Sequence, residues 1–418
     1  MNRMKHIPLL DLKLEYKYMK KDIDSAIKKC LDHQKWILGP EVKELEEKVA
    51  GYLGVKHCIG SSSGTEALVL SLRALAIKLK GQEFFDKTDE IITTPFTFTA
   101  TGDAILRAGA TPVFVDIDPA TYNIEPAKIR EYLNSSLTSK VIGILPVHLY
   151  GHSCNMDEIM DIAEQHKLFV IEDVAQAFGA AWKDKKLGSI GSTGSFSFFP
   201  SKNLGGFGDA GMVSTNDDEI ANLVRMLIKH GGKDKYNVDH IGYNARLDTL
   251  QAAIIAAKLK YVDEFNERRR NIAGFYDNAL RNLNEITLPA SLPAAHHVYH
   301  QYTVRVKNET IMLHSNTNDN ENNPPFPPFS KGGKGGFSGG KRDDLQRFLN
   351  DQNIGSMVYY PVPLHKMRVF DERHKSFLPL DESEKAITEV LSLPIEPLMK
   401  DKDLMRVVKG NKFIFSMN

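Results

Sequence analysis

Cysteine is scarce in this 418-residue chain: Cys30, Cys58 and Cys154 are odd in number and far apart. That pattern supports neither a disulfide framework nor a zinc site, so no metal centre is expected and a reducing cytoplasm is the expected compartment. Excess charge of one sign is also missing, because 53 basic side chains balance 53 acidic ones. A nucleic-acid binder working through a basic surface is thereby excluded. No hydrophobic run approaches the roughly 18 residues of a membrane span, so no membrane partner is expected. Near the N-terminus apolar character is confined to Ile7-Pro8-Leu9-Leu10 before charge returns, which does not read as a secretory leader. What remains is 42% hydrophobic and 25% charged, an ordinary globular composition with enough chain for a large core in two or three domain-sized units.

The first half alternates short apolar runs with helical patterns. Segments 55–59, 90–94, 112–116, 141–147, 168–173, 195–199 and 211–214 read as strands. Met156, Ile159, Ile162 and Ala163 share one helical face, and Val42, Leu45, Val49 and Leu53 line another that stops at Gly54. Near-continuous apolar strands separated by helices predict an α/β fold with a mostly parallel sheet sandwiched by helices. After about residue 248 the texture changes to a long helical pattern over 250–280, a strand over 300–306 and a helix around 343–349. The chain is therefore divided into an N-terminal segment 1–35, a large unit 36–250 and a smaller α+β unit 251–418. Residues 315–340 are rich in Asn, Pro and Gly without apolar periodicity and read as a disordered insertion. Its KGGKGG follows no strand and lacks a Gly-Lys-Ser/Thr ending, so it does not read as a phosphate loop.

The chemistry concentrates between 168 and 204. An apolar strand ends in Glu172-Asp173, which places an acid where α/β folds bind ligands. Gln176 lies one turn onward, and Ser197 and Lys202 close the next strand. A lysine in a partly desolvated pocket loses basicity and can form a Schiff base. Paired with an acid that keeps a pyridine nitrogen protonated, it answers the needs of pyridoxal phosphate. A cradle for the phosphate is offered by Gly60-Ser61-Ser62-Ser63-Gly64-Thr65-Glu66, a small-residue turn between a strand and a helix.

Six motifs in one order then carry a resemblance: SGTEAL at 63–68, TFTAT at 97–101, PVHLYG at 146–151, EDVAQA at 172–177, SFSFFPSKNL at 195–204 and GYNARLDTLQAA at 242–253. Together they resemble the DegT/DnrJ-type sugar-nucleotide aminotransferases, pyridoxal-phosphate enzymes of the aspartate-aminotransferase-like fold type I. The resemblance covers almost the whole chain. It implies that Lys202 bonds the cofactor and that Asp173 partners the pyridine nitrogen. It places Gln176 beside the ring hydroxyl, stacks Phe98 on the ring, and sets Ser197, Gly64, Thr65 and Glu66 around the phosphate. Asn244 would reach the phosphate from a second subunit, implying a homodimer with shared active sites. The family's YPTKNL is FPSKNL here, and its glycine-rich run after the lysine becomes GGFGDAG at 205–211.

Some relatives carry histidine in place of the lysine and dehydrate sugars; Lys202 points away from that branch. The resemblance implies L-glutamate as donor and a UDP- or dTDP-linked keto sugar as acceptor. The stretch His230-Gly231-Gly232-Lys233-Asp234-Lys235-Tyr236 is similar to that of members aminating 3-keto sugars, with a 4-keto sugar, a cyclitol or a non-catalytic regulatory role as alternatives. His300, Tyr360 and His365 are the sugar-side candidates by motif position.

Overall fold

The seven apolar segments all form strands of one sheet in the computed structural model, which describes residues 5–135, 140–234, 236–307, 340–377 and 379–415. They are β1 (His57–Ser61), β2 (Glu90–Thr93), β3 (Thr111–Phe114), β4 (Val141–Ile144), β5 (Phe169–Asp173), β6 (Thr193–Ser197) and β7 (Gly211–Thr215). An eighth, β8 (Lys375–Ser376), adds to the edge, giving the order β1-β7-β6-β5-β4-β2-β3-β8. Only β7 runs antiparallel to its neighbours β1 and β6; the other pairings are parallel. Helices flank this sheet, as the alternating pattern requires.

Local chemistry explains where the boundaries moved. Val55 was expected to open β1, yet its N–H joins that of Gly54 on the Ala50 carbonyl, at 3.1 and 2.9 Å, with Gly54 left-handed at φ 73°. The helix cap thus consumes Val55 and the strand begins two residues later. β8 escaped notice because two polar residues carry no apolar alternation; its register comes from pairing Lys375 with Val113. The single helical pattern over 250–280 is two helices, Thr249–Leu259 and Val262–Leu280, with a turn between them. That turn lets Ile254 of the first and Phe265 of the second close on Met19 and Ile23 of the N-terminal helix Leu12–His33.

Toward the C-terminus, Ile286–Thr287, Tyr302–Val306 and Val390–Leu393 form a three-stranded antiparallel sheet. Tyr276, Tyr302, Leu345, Leu391 and Val407 fill its core, drawn from the sheet and from helices Val262–Leu280, Lys341–Asp351 and Asp401–Phe415. The strand starts at Tyr302 rather than residue 300, which leaves His300 and Gln301 in the loop before it. Of the expected insertion 315–340, all but Gly340 lies outside the described residues.

β5 shows how the sheet sorts its acids. Successive side chains on a strand point to opposite faces, so Glu172 and Asp173 part company. Glu172 is fully buried; its Oε2 accepts from Gly188 N–H and its Oε1 from Ile190 and Gly191 N–H, each at 2.8 Å. Gly194 sits across from Glu172 on β6, and a Cβ there would come within 2.4 Å of Gly188 Cα. The missing side chain is what lets the 188–191 loop fold over the acid. His148 Nδ1 accepts from Cys154 N–H at 3.1 Å, so its Nε2 carries the proton and donates to Glu172 Oε2 at 3.3 Å. Replacing Glu172 with Ala strands these buried donors, and unfolding in urea should show a loss of about 3 kcal/mol or more.

Candidate active site

The carboxyl ends of β2, β4, β5 and β6 open on one cavity of about 490 Å³, lined among others by Asp173, Lys202, Ser197, Phe98 and Tyr360. This is where a parallel sheet delivers its functional side chains. Asp173, on the face opposite Glu172, is buried with modest satisfaction: Oδ2 accepts from Thr101 Oγ1 at 3.0 Å and Oδ1 from Ala175 N–H at 3.1 Å. Burial raises its pKa, opposed by these two donors and then by Lys202. Lys202 is half-buried after β6, its N–H turned back onto the Phe199 carbonyl at 2.8 Å. Burial brings its ammonium pKa down to about 8, with the Asp173 carboxylate acting in the opposite sense. A lysine with that pKa carries a reactive neutral amine near physiological pH.

The loop beyond Lys202 is clamped. Asn203 Nδ2 donates to Asn266 Oδ1 at 2.7 Å, and Asn203 Oδ1 accepts from His300 Nδ1 at 2.9 Å. His300 is held neutral, first by burial, then by the charges of Lys202 and Arg269. Gln176 is committed at both ends of its amide: Oε1 accepts from Tyr150 N–H at 2.8 Å and Nε2 donates to the Tyr360 hydroxyl at 2.7 Å. Phe98 is 55% exposed at the cavity mouth, its ring centroid 6.1 Å from that of Tyr360.

At the other end the helix Gly64–Lys80 points its N-terminus into the cavity. A Cβ on Gly64 would lie 2.6 Å from Ser197 Cβ, so only glycine lets this turn approach β6. Ser63 Oγ caps the helix by accepting from Glu66 N–H at 3.1 Å, leaving the N–H groups of Gly64 and Thr65 at the cavity wall. These features fit pyridoxal phosphate: a small-residue helix start for the phosphate, a buried carboxylate short of a cation for the ring, and an amine of lowered pKa between them.

Gly64, Thr65, Phe98, Asp173, Gln176, Ser197, Lys202, His300 and Tyr360 all line this cavity. Three candidates do not. The cap consumes the Glu66 N–H, and its carboxylate accepts from Arg107 at 2.7 Å. His365 is turned away because Leu364 anchors its turn against Phe114 and Phe370, leaving the imidazole 3.1 Å from Glu384. Asn244 is exposed, bridged to Lys229, and outside the cavity of its own chain. Sequence reasoning passed over Thr101 and Asn203 although both lie inside quoted motifs. Thr101 stands four residues after Thr97, at 3.1 Å between hydroxyls, a helical spacing that marks it. A more open recess of about 910 Å³ lies elsewhere, lined by side chains such as Lys29, Glu41 and Tyr52. Beside it the fold gathers Cys30, His33 and Glu41, a grouping the scattered cysteines did not suggest; His33 Nε2 lies 3.1 Å from Glu41 Oε1.

The sequence profile of the DegT/DnrJ/EryC1/StrS aminotransferase family matches residues 17–322 and 334–411. The chain belongs to that family. It is 40% identical over 406 residues to a pleiotropic regulatory protein of Geobacillus stearothermophilus, covering 97% of each chain. It is also 40% identical over 404 residues to the dTDP-3-amino-3,6-dideoxy-alpha-D-galactopyranose transaminase of Aneurinibacillus thermoaerophilus, covering 97% of this chain and 98% of the relative. Among solved structures, S. venezuelae DesV in complex with a ketimine intermediate superposes with a TM-score of 0.85 at 33% identity, over 99% of both chains. This family member is accordingly a pyridoxal-phosphate-dependent transaminase of fold type I.

Two outcomes are expected. Gly64→Ala should weaken cofactor binding about 10-fold or more and also lower the melting temperature of the apoprotein, since the new Cβ would lie 2.6 Å from Ser197 Cβ and push the helix start off β6. Loading of the apoprotein with pyridoxal phosphate, followed by absorbance, should accelerate as pH rises with a midpoint at about 8, as Lys202 loses its proton. A midpoint near the ordinary lysine value of 10.5 contradicts the desolvated amine.

Proposed function

We propose that this transaminase moves the amino group of L-glutamate to the C3 ketone of a UDP- or dTDP-linked sugar, supplying amino sugars for surface polysaccharide or secondary-metabolite assembly. The observation that carries this reading is the Lys202–Asp173 pair facing a cavity of about 490 Å³. The relative named for a dTDP-3-amino sugar supports position C3. The name of the regulatory relative raises a non-catalytic role, but an intact lysine and acid favour turnover.

Pyridoxal phosphate, when bound, supplies an aldehyde carbon that takes up the amino group and a ring that withdraws electrons. Everything else falls to the chain. Lys202 Nζ holds the cofactor between turnovers and, once displaced as a neutral amine, takes a proton from the donor α-carbon and later returns one to the sugar side. The carboxylate of Asp173 holds the proton on the ring nitrogen, its geometry set by Thr101 and the Ala175 N–H. Gln176 and Tyr360, joined by a hydrogen bond, would wall the ring, and Phe98 would cover one of its faces. Gly64, Thr65 and Ser197 hold the phosphate. His300 and Tyr360 line the same cavity and are the candidates for contact with the sugar.

The reading also includes a homodimer in which Asn244 of one copy reaches the phosphate site of the other, consistent with its exposure and its absence from the cavity of its own chain. The large unit 36–250 would bind the cofactor, with 1–35 and 251–418 completing the acceptor side. A cytoplasmic site of action suits the substrates; among the described residues no helix is long and apolar enough to cross a membrane.

The test is a panel of UDP- and dTDP-linked 3-keto and 4-keto sugars with glutamate, scored by which acceptor returns the cofactor to its aldehyde form. Turnover with 4-keto sugars alone, or with cyclitol ketones alone, overturns the C3 assignment. Lys202→Ala should abolish turnover in a folded protein. Asp173→Asn should lower kcat about 100-fold or more, the scale of losing one preorganised electrostatic partner, without loss of thermal stability.

A further inference from the structure

Behind Ser201 the main cavity continues into a recess of about 60 Å³. Ser201, His300, Gln301 and Tyr359 line both spaces. The remaining wall is largely apolar, from Leu10 of the N-terminal segment and Leu393 and Ile395 near the C-terminus, except for Arg269 and for Ser392, whose hydroxyl is paired with that of Thr303. Arg269 is only 2% exposed, and its Nη1 has no hydrogen-bond partner among the described residues. Its Nη2 stands 3.8 Å from Glu15 Oε1, too far for a good hydrogen bond. Gln301 Oε1 is buried in the same unpartnered state.

A buried guanidinium with an open N–H is costly unless an anion meets it. The local charge does not supply that anion in full. Glu15 is shared with Lys258, whose Nζ lies 3.7 Å from Glu15 Oε2. Glu396, nearby, is fixed by the N–H groups of Asp11 and Leu398 at 2.8 and 3.1 Å, and burial pushes its pKa up to about 7. Neither acid meets Arg269 Nη1, which stays without a partner among the described residues.

Size narrows the ligand. Water takes about 30 Å³ of its liquid, so the recess admits a group of two or three heavy atoms and no sugar ring. We propose that the recess is the subsite for a carboxylate of the amino-acid donor, held by Arg269 Nη1, so that donor and sugar nucleotide share the main cavity in turn while only the donor uses the recess. The assignment rests on the transaminase reading for its donor. Gln301 would join by turning its amide so that Nε2 faces the carboxylate, an exchange of two ends of similar shape.

The test separates binding from turnover. Calorimetric titration of the wild-type holoenzyme should show binding of glutarate and none of its uncharged diamide; equal binding of the two, or no binding of glutarate, overturns the proposal. Arg269→Gln, with Arg269→Lys as the variant that keeps the charge beside Glu15, should weaken glutarate binding about 30-fold, and raise by a similar factor the glutamate concentration for half-maximal conversion of the cofactor to its amine form. Consumption of that amine form by the keto sugar should stay within about twofold of wild type. Equal losses in both half-reactions, or unchanged glutarate affinity in a variant that melts normally, refute the subsite. Failure of wild-type enzyme to convert its cofactor with glutamate would instead strike the transaminase reading, and the glutarate titration stands apart from it.

Discussion

The opposition between a buried carboxylate and a buried amine governs this molecule. Asp173 is buried where only one hydroxyl and one N–H attend it, and Lys202 is placed so that burial lowers its ammonium pKa to about 8 while the Asp173 carboxylate acts in the opposite sense. Neither group is comfortable alone in that environment. A cationic ring between them relieves the acid, and a covalent bond relieves the amine. The surrounding structure, from the Gly64 turn pressed on Ser197 to the Asn203 clamp, keeps the two groups from escaping to solvent.

Much of this was legible from the order of residues, for a definite reason. Strand β5 is an apolar run ending in two acids, and the period of a strand says that only one of them can face the crevice. Which one could not be read locally. The answer lies further along the chain, in Gly188 and Gly194, whose lack of side chains builds the pocket for Glu172. Residues placed by a single element, such as Gly64 at a helix start, were found with ease. His365 was misplaced because its direction depends on where Leu364 packs, which no periodicity reports. Glu66 was credited with a free N–H that Ser63 had already taken, a detail decided by the rotamer of one cap. Arg269 drew no attention because it sits in a helix rich in charge, and only the packing of three distant segments buries it.

Those segments deserve emphasis for what they join. Glu15 from the N-terminal helix, Lys258 and Arg269 from the paired helices, and Glu396 from the C-terminal stretch meet beside the recess. Buried ion networks add little net stability compared with well-packed apolar groups. They do, however, impose a unique arrangement, since each charge tolerates few neighbours. Here that arrangement ties the chain's first and last parts to the wall behind the reactive lysine.

The two acids of β5 have a further consequence. Sliding that strand by one residue would bury Asp173 beneath the 188–191 loop, too short to reach its three amides, and would leave Glu172 crowding the crevice. Such a slip would leave buried amides and a buried acid without partners, so the native register is strongly favoured. The register that buries Glu172 beneath the 188–191 loop is thus the same one that turns Asp173 toward the crevice.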